Sequence, residues 1–354
     1  MRVEQGLLQN LSRYVHPFRN GKGKLFVITS PEIWALWHQH FLASFGDTQP
    51  SPTVLFVPPG ERYKRLSQVE RLAEELVLAG AQRDSLILAF GGGVVGDVAG
   101  FLAAIYMRGI PVVQIPTTYL AQIDSSIGGK TGVNLRVGKN LIGSFHHPAS
   151  VFVDPELIST LPLRELRAGM MESIKAAILG DAKLFVWIEK HTDALLRGEI
   201  NALSYAIHSS IRIKAKIVSA DERESGQRML LNLGHTVGHA IESATQYRAL
   251  LHGEAVAWGM IAAIRLAVTR SALRIADAQR MERLIHCFGP LPRFTATAKR
   301  LLDLTSADKK NRTDTRNFVL PVKIGKSVVV TDVTTEELFE AIENLLQVVK
   351  ERGA

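Results

Sequence analysis

The sequence predicts an α/β protein whose first half is a parallel, doubly wound sheet and whose second half is mainly α-helical. Three observations predict it. Short apolar, β-branched runs alternate with helical patterns up to Asp154. The β signal then stops, and Pro162 opens a series of long periodic helices that continues to the C-terminus. Glycines cluster where a strand of the first half runs into a helix.

The expected strands are, in order, Leu25–Ser30, Thr53–Val57, Ser85–Phe90, Pro111–Ile115 and Val151–Asp154. Each is nearly continuous in apolar side chains, as strands covered on both faces are, and helical patterns lie between several of them, which makes the sheet parallel. In the helical half, Asn317–Val330 reads as a hairpin. The domain boundary falls near 155–162, and no repeat of repeat-protein length is visible.

Composition bounds the rest. The 354 residues are 46% apolar and 21% charged, which excludes a disordered or fibrous chain. At about 150 residues per domain the length predicts two domains. Forty-two Lys and Arg against 34 Asp and Glu give a formal charge of +8, which suits an anionic ligand. The basic residues form no run of five, so a solvated surface is expected rather than a nucleic-acid partner. The single cysteine, Cys287, excludes an intramolecular disulfide and any multi-cysteine metal site, suits a reducing compartment, and as an isolated thiol is expected in the core. The start lacks an apolar signal region, and the longest apolar stretch, Ala255–Ile264, covers about half a bilayer span. A cytoplasmic enzyme with no membrane partner is expected.

Three segments of the first half carry anion-binding chemistry. Gly91-Gly92-Gly93-Val-Val-Gly-Asp97 joins a strand to the helical pattern VAGFLAAIYM. Bare backbone amides and a positive dipole end would face a phosphate there, although a lone glycine turn fits a plain tight turn equally well. Glu61 and Lys64, in Pro59–Lys64, follow the preceding strand and could meet ribose hydroxyls or a phosphate, or simply open a helix. Pro116–Asn134 is polar and glycine-rich at the carboxyl end of a strand. Asp124, Lys130, Lys139 and Asn140 then put opposite charges and an amide into one loop system.

The second half carries a candidate metal site. Glu172 and Lys175 share a helix face, where an ordinary ion pair is the plain alternative. His235 and His239 are four apart on one helical face, and His252 stands just before the helix AVAWGMIAAIRLAV. Imidazole and carboxylate donors without cysteine suit Zn2+ or a similar divalent ion, and three ligands leave positions open for substrate oxygens. HxxxH alone is weak evidence, since a helical histidine is more often a hydrogen-bonding partner than a ligand.

Together GGGVVGD, IPTTYLAQIDSSIGGKTGVN, GKNLIGSF, ELRAGMMESIK, LLNLGHTVGHAIE and LHGEAVAWGM occur in the order and spacing of one family. The chain resembles the 3-dehydroquinate synthases, of the sugar-phosphate cyclase superfamily, nearly end to end. The resemblance implies a Rossmann-like NAD-binding domain over 1–160 and a mainly α-helical metal- and substrate-binding domain over 161–354. It implies NAD held by Glu61, Lys64, Gly91, Gly92, Gly93, Asp97, Thr117 and Thr118, with Lys130 and Lys139 nearby. It implies Zn2+ or Co2+ on Glu172, His235 and His252. Substrate contacts would come from Asp124, Lys130, Lys139, Asn140, Lys175, Lys214, Arg228, Asn232 and His239, and from Lys309 or Lys310. Arg108 resembles the residue that the family donates from a neighbouring subunit, which implies a homodimer. Catalytic roles would fall to Lys130, Asn140, Lys175 and His239.

Two departures stand out. Ser30 occupies the place where the family usually has Asn or Asp after the first strand, which puts one adenosine-ribose hydrogen bond in doubt. The interval from His235 to His252 is about one residue longer than in some members, a loop change that spares the ligands. The implied reaction closes 3-deoxy-D-arabino-heptulosonate 7-phosphate to 3-dehydroquinate with loss of phosphate, on the shikimate route to aromatic amino acids. Rival readings are a cyclase making a valiolone or an inosose, a metal-dependent polyol dehydrogenase, and a catalytically silent NAD- or nucleic-acid-binding protein.

Overall fold

The computed structural model describes residues 1–18, 23–46, 51–223, 226–307 and 316–352. The chain divides into two compact units, Met1–Leu161 and Pro162–Ala354.

In the first unit the elements are β1 (Arg2–Val3), α1 (Leu11–Val15), β2 (Leu25–Thr29), α2 (Pro31–Ala43), β3 (Thr53–Phe56), α3 (Leu66–Leu78), β4 (Leu86–Gly91), α4 (Gly93–Ile105), β5 (Val112–Pro116), β6 (Lys130–Leu135), β7 (Gly138–Phe145) and β8 (Ser150–Val153). Six strands form one sheet in the order β1-β8-β5-β4-β2-β3, and every pairing in it is parallel. The two-residue side-chain period of a strand sorts the core onto two faces. Phe26, Ile28, Ile87 and Ala89 pack with Leu72 and Leu76 of α3 and Val98 and Leu102 of α4. Leu25, Val27, Leu86 and Leu88 pack on the other face with Phe41 of α2 and Leu11 of α1. This is the doubly wound sheet that the apolar runs predict.

Residues 130–145 differ from the expected loop: β6 and β7 pair antiparallel as a separate two-stranded ribbon. Gly132 and Gly143 face each other so closely that a Cβ on Gly143 would stand 2.1 Å from the Thr131 carbonyl oxygen. Backbone pairing at that approach makes the ribbon, with only the Val133–Ile142 pair reaching the core, and so no alternation announces it. Ser30 N-caps α2, its hydroxyl accepting from the Ile33 N–H at 3.4 Å.

The second unit holds α5 (Leu163–Gly180), α6 (Ala182–Leu196), α7 (Ile200–Ala220), α8 (His235–Ala244), α9 (His252–Thr269), α10 (Ile275–Cys287), α11 (Ala298–Ala307), the hairpin β9 (Arg316–Lys323) and β10 (Lys326–Val333), and α12 (Thr335–Arg352). Helix α9 is apolar all round because it is the centre of this unit, packed against α5, α8, α10 and α12. The longest apolar stretch of the chain is therefore a buried helix, and among the described residues no helix is long and apolar enough to cross a membrane. Cys287 is exposed, against expectation. The buried stripe of α10 runs through Ala278, Met281, Leu284 and Ile285, and position 287 falls off it.

Helix α9 meets its neighbours through backbone. A Cβ on Gly253 would stand 1.8 Å from the Ala168 carbonyl oxygen of α5, and one on Gly259 would stand 1.9 Å from that of Gly234, just before α8. Gly253→Ala should therefore lower stability by about 1–3 kcal/mol. Gly180→Ala, whose Cβ would meet Ile213 at an ordinary 3.6 Å, should be neutral or gain up to about 1 kcal/mol. Urea midpoints of the two variants check the contrast, and equal midpoints would refute the close-approach account.

Candidate active site

In the first unit the candidate residues gather at the carboxyl ends of the parallel strands. Register places Thr29 opposite Phe56, and Gly91 opposite Pro116, so the segments after β3, β4 and β5 leave the sheet from one edge. Helix α4 starts there with Gly92 as its N-cap, and no side chain caps it. The first amides of α4 are thus presented as an anion site by the strand-to-helix turn itself. A Cβ on Gly92 would press on Thr118 at 3.0 Å, and one on Gly93 on the Ser125 hydroxyl at 3.0 Å. Thr117 is buried, with its N–H on the Gly91 carbonyl at 3.0 Å, and the Thr118 hydroxyl accepts from the Ala121 N–H at 3.2 Å.

Glu61, Lys64, Asp97, Lys139 and Asn140 form one group joined by hydrogen bonds and ion pairs. Lys64 is 4% exposed, and its ammonium donates to Asp97 and to the Asn140 side-chain oxygen. Glu61 Oε1 lies 3.8 Å from the Lys139 ammonium. Sequence reasoning missed the hub of this group, Asn134. Its side-chain amide donates to Glu61 Oε1 at 2.7 Å, and its side-chain oxygen accepts the Asn140 N–H at 2.9 Å. That bond holds Asn140 at φ 53°, a left-handed conformation that asparagine tolerates better than most residues. Lys130 opens β6, and Asp124 lies in a single π-helical turn over Ala121–Ser125.

Arg108 stands elsewhere in this unit. It precedes β5 and, with Gln82, Arg83, Asp84 and Met107, lines an open depression of about 630 Å³. Those residues lie at the amino ends of β4 and β5, the sheet edge opposite the glycine turn.

In the second unit Glu172 of α5, His235 of α8 and His252 of α9 come together. Glu172 is 3% exposed; its Oε2 is paired with the Lys175 ammonium one helical turn along, and Lys175 is equally buried. Its Oε1 has no hydrogen-bond partner, and it lies 3.8 Å from His235 Nε2 and 3.9 Å from His252 Nε2. A buried carboxylate oxygen without a donor, facing two ring nitrogens, is costly unless a cation completes it. The other ring nitrogens are spoken for. His235 Nδ1 meets the Leu233 carbonyl at 3.2 Å, and His252 Nδ1 meets Glu242 Oε2 at 3.3 Å. Both Nε2 atoms are thereby aimed inward, an arrangement that fits a divalent ion held by nitrogen and oxygen donors.

His239 stands beside the triad, its ring 5.2 Å from that of His235 and 6.0 Å from that of His252. His239, Glu242 and His252 make a second group of donor atoms that could hold an ion. Arg228 is buried and donates to the Glu222 carbonyl. Lys214 lies on α7, and Asn232 ends the 3-10 turn before α8. Lys309 and Lys310 lie outside the described residues. The start of α9 is fixed by Glu254, which accepts the Leu251 N–H at 2.7 Å and both arms of the Arg164 guanidinium at 2.7 and 2.8 Å.

A strand-edge glycine turn in one unit and a partly buried His–His–Glu group in the other point to the class: enzymes of the kind that solved structures show with NAD+ and a divalent metal. One such structure, of 2-epi-5-epi-valiolone synthase from Streptomyces hygroscopicus subsp. jinggangensis 5008 with NAD+ and Zn2+ bound, has a TM-score of 0.88 at 28% identity and covers 98% of this chain and 96% of its own. A 2-deoxy-scyllo-inosose synthase complexed with carbaglucose-6-phosphate, NAD+ and Co2+ has a TM-score of 0.86 at 28% identity, covering 97% and 95%. The 3-dehydroquinate synthase N-terminal family model matches residues 54–168 and the C-terminal model residues 169–311. Curated relatives include the 3-dehydroquinate synthases of Solibacter usitatus (strain Ellin6076), 46% identical over 97% of this chain and 95% of the relative, and Koribacter versatilis (strain Ellin345), 44% identical over 96% and 93%. The chain belongs to the 3-dehydroquinate synthase family.

Protonation separates the two ligand histidines. Burial, and then the charge of Lys175, hold His235 well below the usual imidazole value. Burial also acts to lower His252, but the hydrogen bond and charge of Glu242 and the charge of Glu172 outweigh it and leave His252 raised. As pH falls, His252 takes a proton first and His235 only much later. Zn2+ affinity should fall about tenfold per pH unit below the His252 value, with one proton displaced and not two. Chelator-competition titrations run downward from pH 8.5 check this; two protons displaced where the affinity first falls would contradict it.

Proposed function

We propose that this chain converts 3-deoxy-D-arabino-heptulosonate 7-phosphate to 3-dehydroquinate and phosphate, as a carbon–oxygen lyase that depends on NAD and a divalent metal. The observation that carries the reading is the convergence of Glu172 Oε1 with the two Nε2 atoms of His235 and His252. It occurs in a chain matched nearly end to end by curated 3-dehydroquinate synthases.

The donor set fits Zn2+ or Co2+ on Glu172, His235 and His252. A cation bound there supplies Lewis-acid polarisation of substrate oxygens. NAD, held at the α4 amides with Glu61, Lys64, Asp97, Thr117 and Thr118 and with Lys130 and Lys139 nearby, supplies a hydride acceptor that is restored within the cycle.

The chain's own residues do the remaining work. The substrate carries a carboxylate and a phosphate, and Lys130, Lys175, Lys214 and Arg228 bring the matching positive charge. Asp124, Lys139 and Asn232, with Lys309 or Lys310, are assigned to its remaining polar groups. Lys175 also shapes the metal site, because its pairing with Glu172 Oε2 leaves Oε1 to face the histidines. His239 is assigned to hold and move the proton of the alcohol being oxidised, and Asn140 is assigned a part in the same proton transfer. Positioning contributes most of the remainder, because elimination and ring closure need a substrate held in one conformation.

Arg108 supports a homodimer. Strands β4 and β5 separate it from the glycine turn, so within one chain it stands at the wrong sheet edge to serve that site. Mixing Arg108→Ala with Lys175→Ala subunits, each inactive alone, should restore part of the activity; no rescue would contradict a shared site.

The assay is direct. With NAD, Zn2+ and the heptulosonate phosphate, the protein should release phosphate while no NADH accumulates. Net NADH production from a simple polyol would select a dehydrogenase instead. The 28% identity to solved valiolone and inosose synthases supports a second reading, which turnover of a sugar phosphate lacking the carboxylate would favour.

A further inference from the structure

We propose that Glu242 is the positioning residue of the metal centre, holding the His252 ring in the tautomer that offers Nε2 to the cation. The proposal rests on the metal reading above and deepens it.

Glu242 is 4% exposed on α8, seven residues beyond His235 and three beyond His239, so all three lie on one helical face. Its Oε2 is 3.3 Å from His252 Nδ1, while Nε2 of the same ring is 3.9 Å from Glu172 Oε1. A neutral imidazole carries one proton. When Nδ1–H donates to Glu242, the lone pair on Nε2 is left facing Glu172 and His235.

The alternative is built into the same side chains. His239, Glu242 and His252 also bring one donor atom each within 4.8 Å of one another, and a cation there would take Nδ1 and leave the proton on Nε2. One ring cannot serve both groups in its neutral form. The Glu172 side has a buried oxygen without a hydrogen-bond partner, and the Glu242 side already has the Nδ1 contact. The cation therefore belongs with Glu172, and Glu242 acts through His252. A carboxylate behind a ligand histidine fixes both the ring's orientation and its basicity.

The test uses the full chain and Zn2+ alone, without substrate. By chelator competition, E242A should bind Zn2+ about 10- to 100-fold more weakly than wild type. E242Q keeps an acceptor oxygen and loses the charge, so it should fall between the two, with the unfolding midpoint of its metal-free form unchanged. A purely structural role would instead make affinity follow the unfolding midpoint. If E242A does not fold, E242Q and the wild type decide. Histidine 15N NMR of the metal-free wild type at pH 8.5 should show His252 protonated on Nδ1. Wild-type Zn2+ affinity in E242A or E242Q, or an Nε2–H tautomer of His252, would overturn the proposal. Phosphate release by the wild type is scored separately. Its absence with Zn2+ affinity lost in E242A removes the cyclase reading and leaves Glu242 in place, whereas its presence with affinity retained does the reverse.

Discussion

The metal cluster depends on how closely helix α9 lies against two neighbours. Glu172, His235 and His252 sit on three different helices, so no local sequence rule brings them together. The contact is made by backbone: Gly253 lies on the Ala168 carbonyl four residues before Glu172, and Gly259 lies on Gly234 next to His235. Each approach is shorter than any side chain would permit, and each is within a few residues of a ligand. Close packing, which resists small changes of volume, thereby becomes the device that sets ligand geometry.

Charge is arranged with the same economy. A buried carboxylate and a buried ammonium are both unfavourable alone, and the Glu172–Lys175 pair offsets the two penalties. The pairing is one-sided, since it engages Oε2 and leaves Oε1 directed at the histidines. In the first unit the Lys64 ammonium is treated similarly, buried against Asp97 and Asn140 at the sheet edge where α4 presents its amides. The formal +8 of the chain matters less than these few enclosed charges.

Much of this is legible in the sequence. Strands β2, β3, β4, β5 and β8 lie within a residue or two of their expected places, because continuous apolar, β-branched runs have few other uses. The histidine spacing makes one face of α8, and the motifs carry Glu172 and His252 to the same centre. The β6–β7 ribbon is not legible: only its Val133–Ile142 pair reaches the core, half of its second strand is exposed, and its pairing rests on Gly132 and Gly143. Cys287 departs from expectation because residue type says nothing of its angle on α10, which turns it away from the buried stripe. Asn134 and Glu242 are invisible for another reason. Each is a single polar residue whose importance lies in what it touches across the fold, although the seven-residue step from His235 to Glu242 on one helix face is a usable signal.

The central claim is that one cation binds between Glu172, His235 and His252. X-ray absorption at the zinc edge of the Zn2+-loaded protein tests it most directly. The account predicts two imidazole nitrogens at about 2.0–2.1 Å, oxygen in the remaining positions and no sulfur. The His235→Ala and His252→Ala proteins should each lose that spectrum, and Glu172→Gln should retain zinc about tenfold or more weakly. A sulfur ligand, or an unchanged two-imidazole spectrum in either histidine variant, would contradict it.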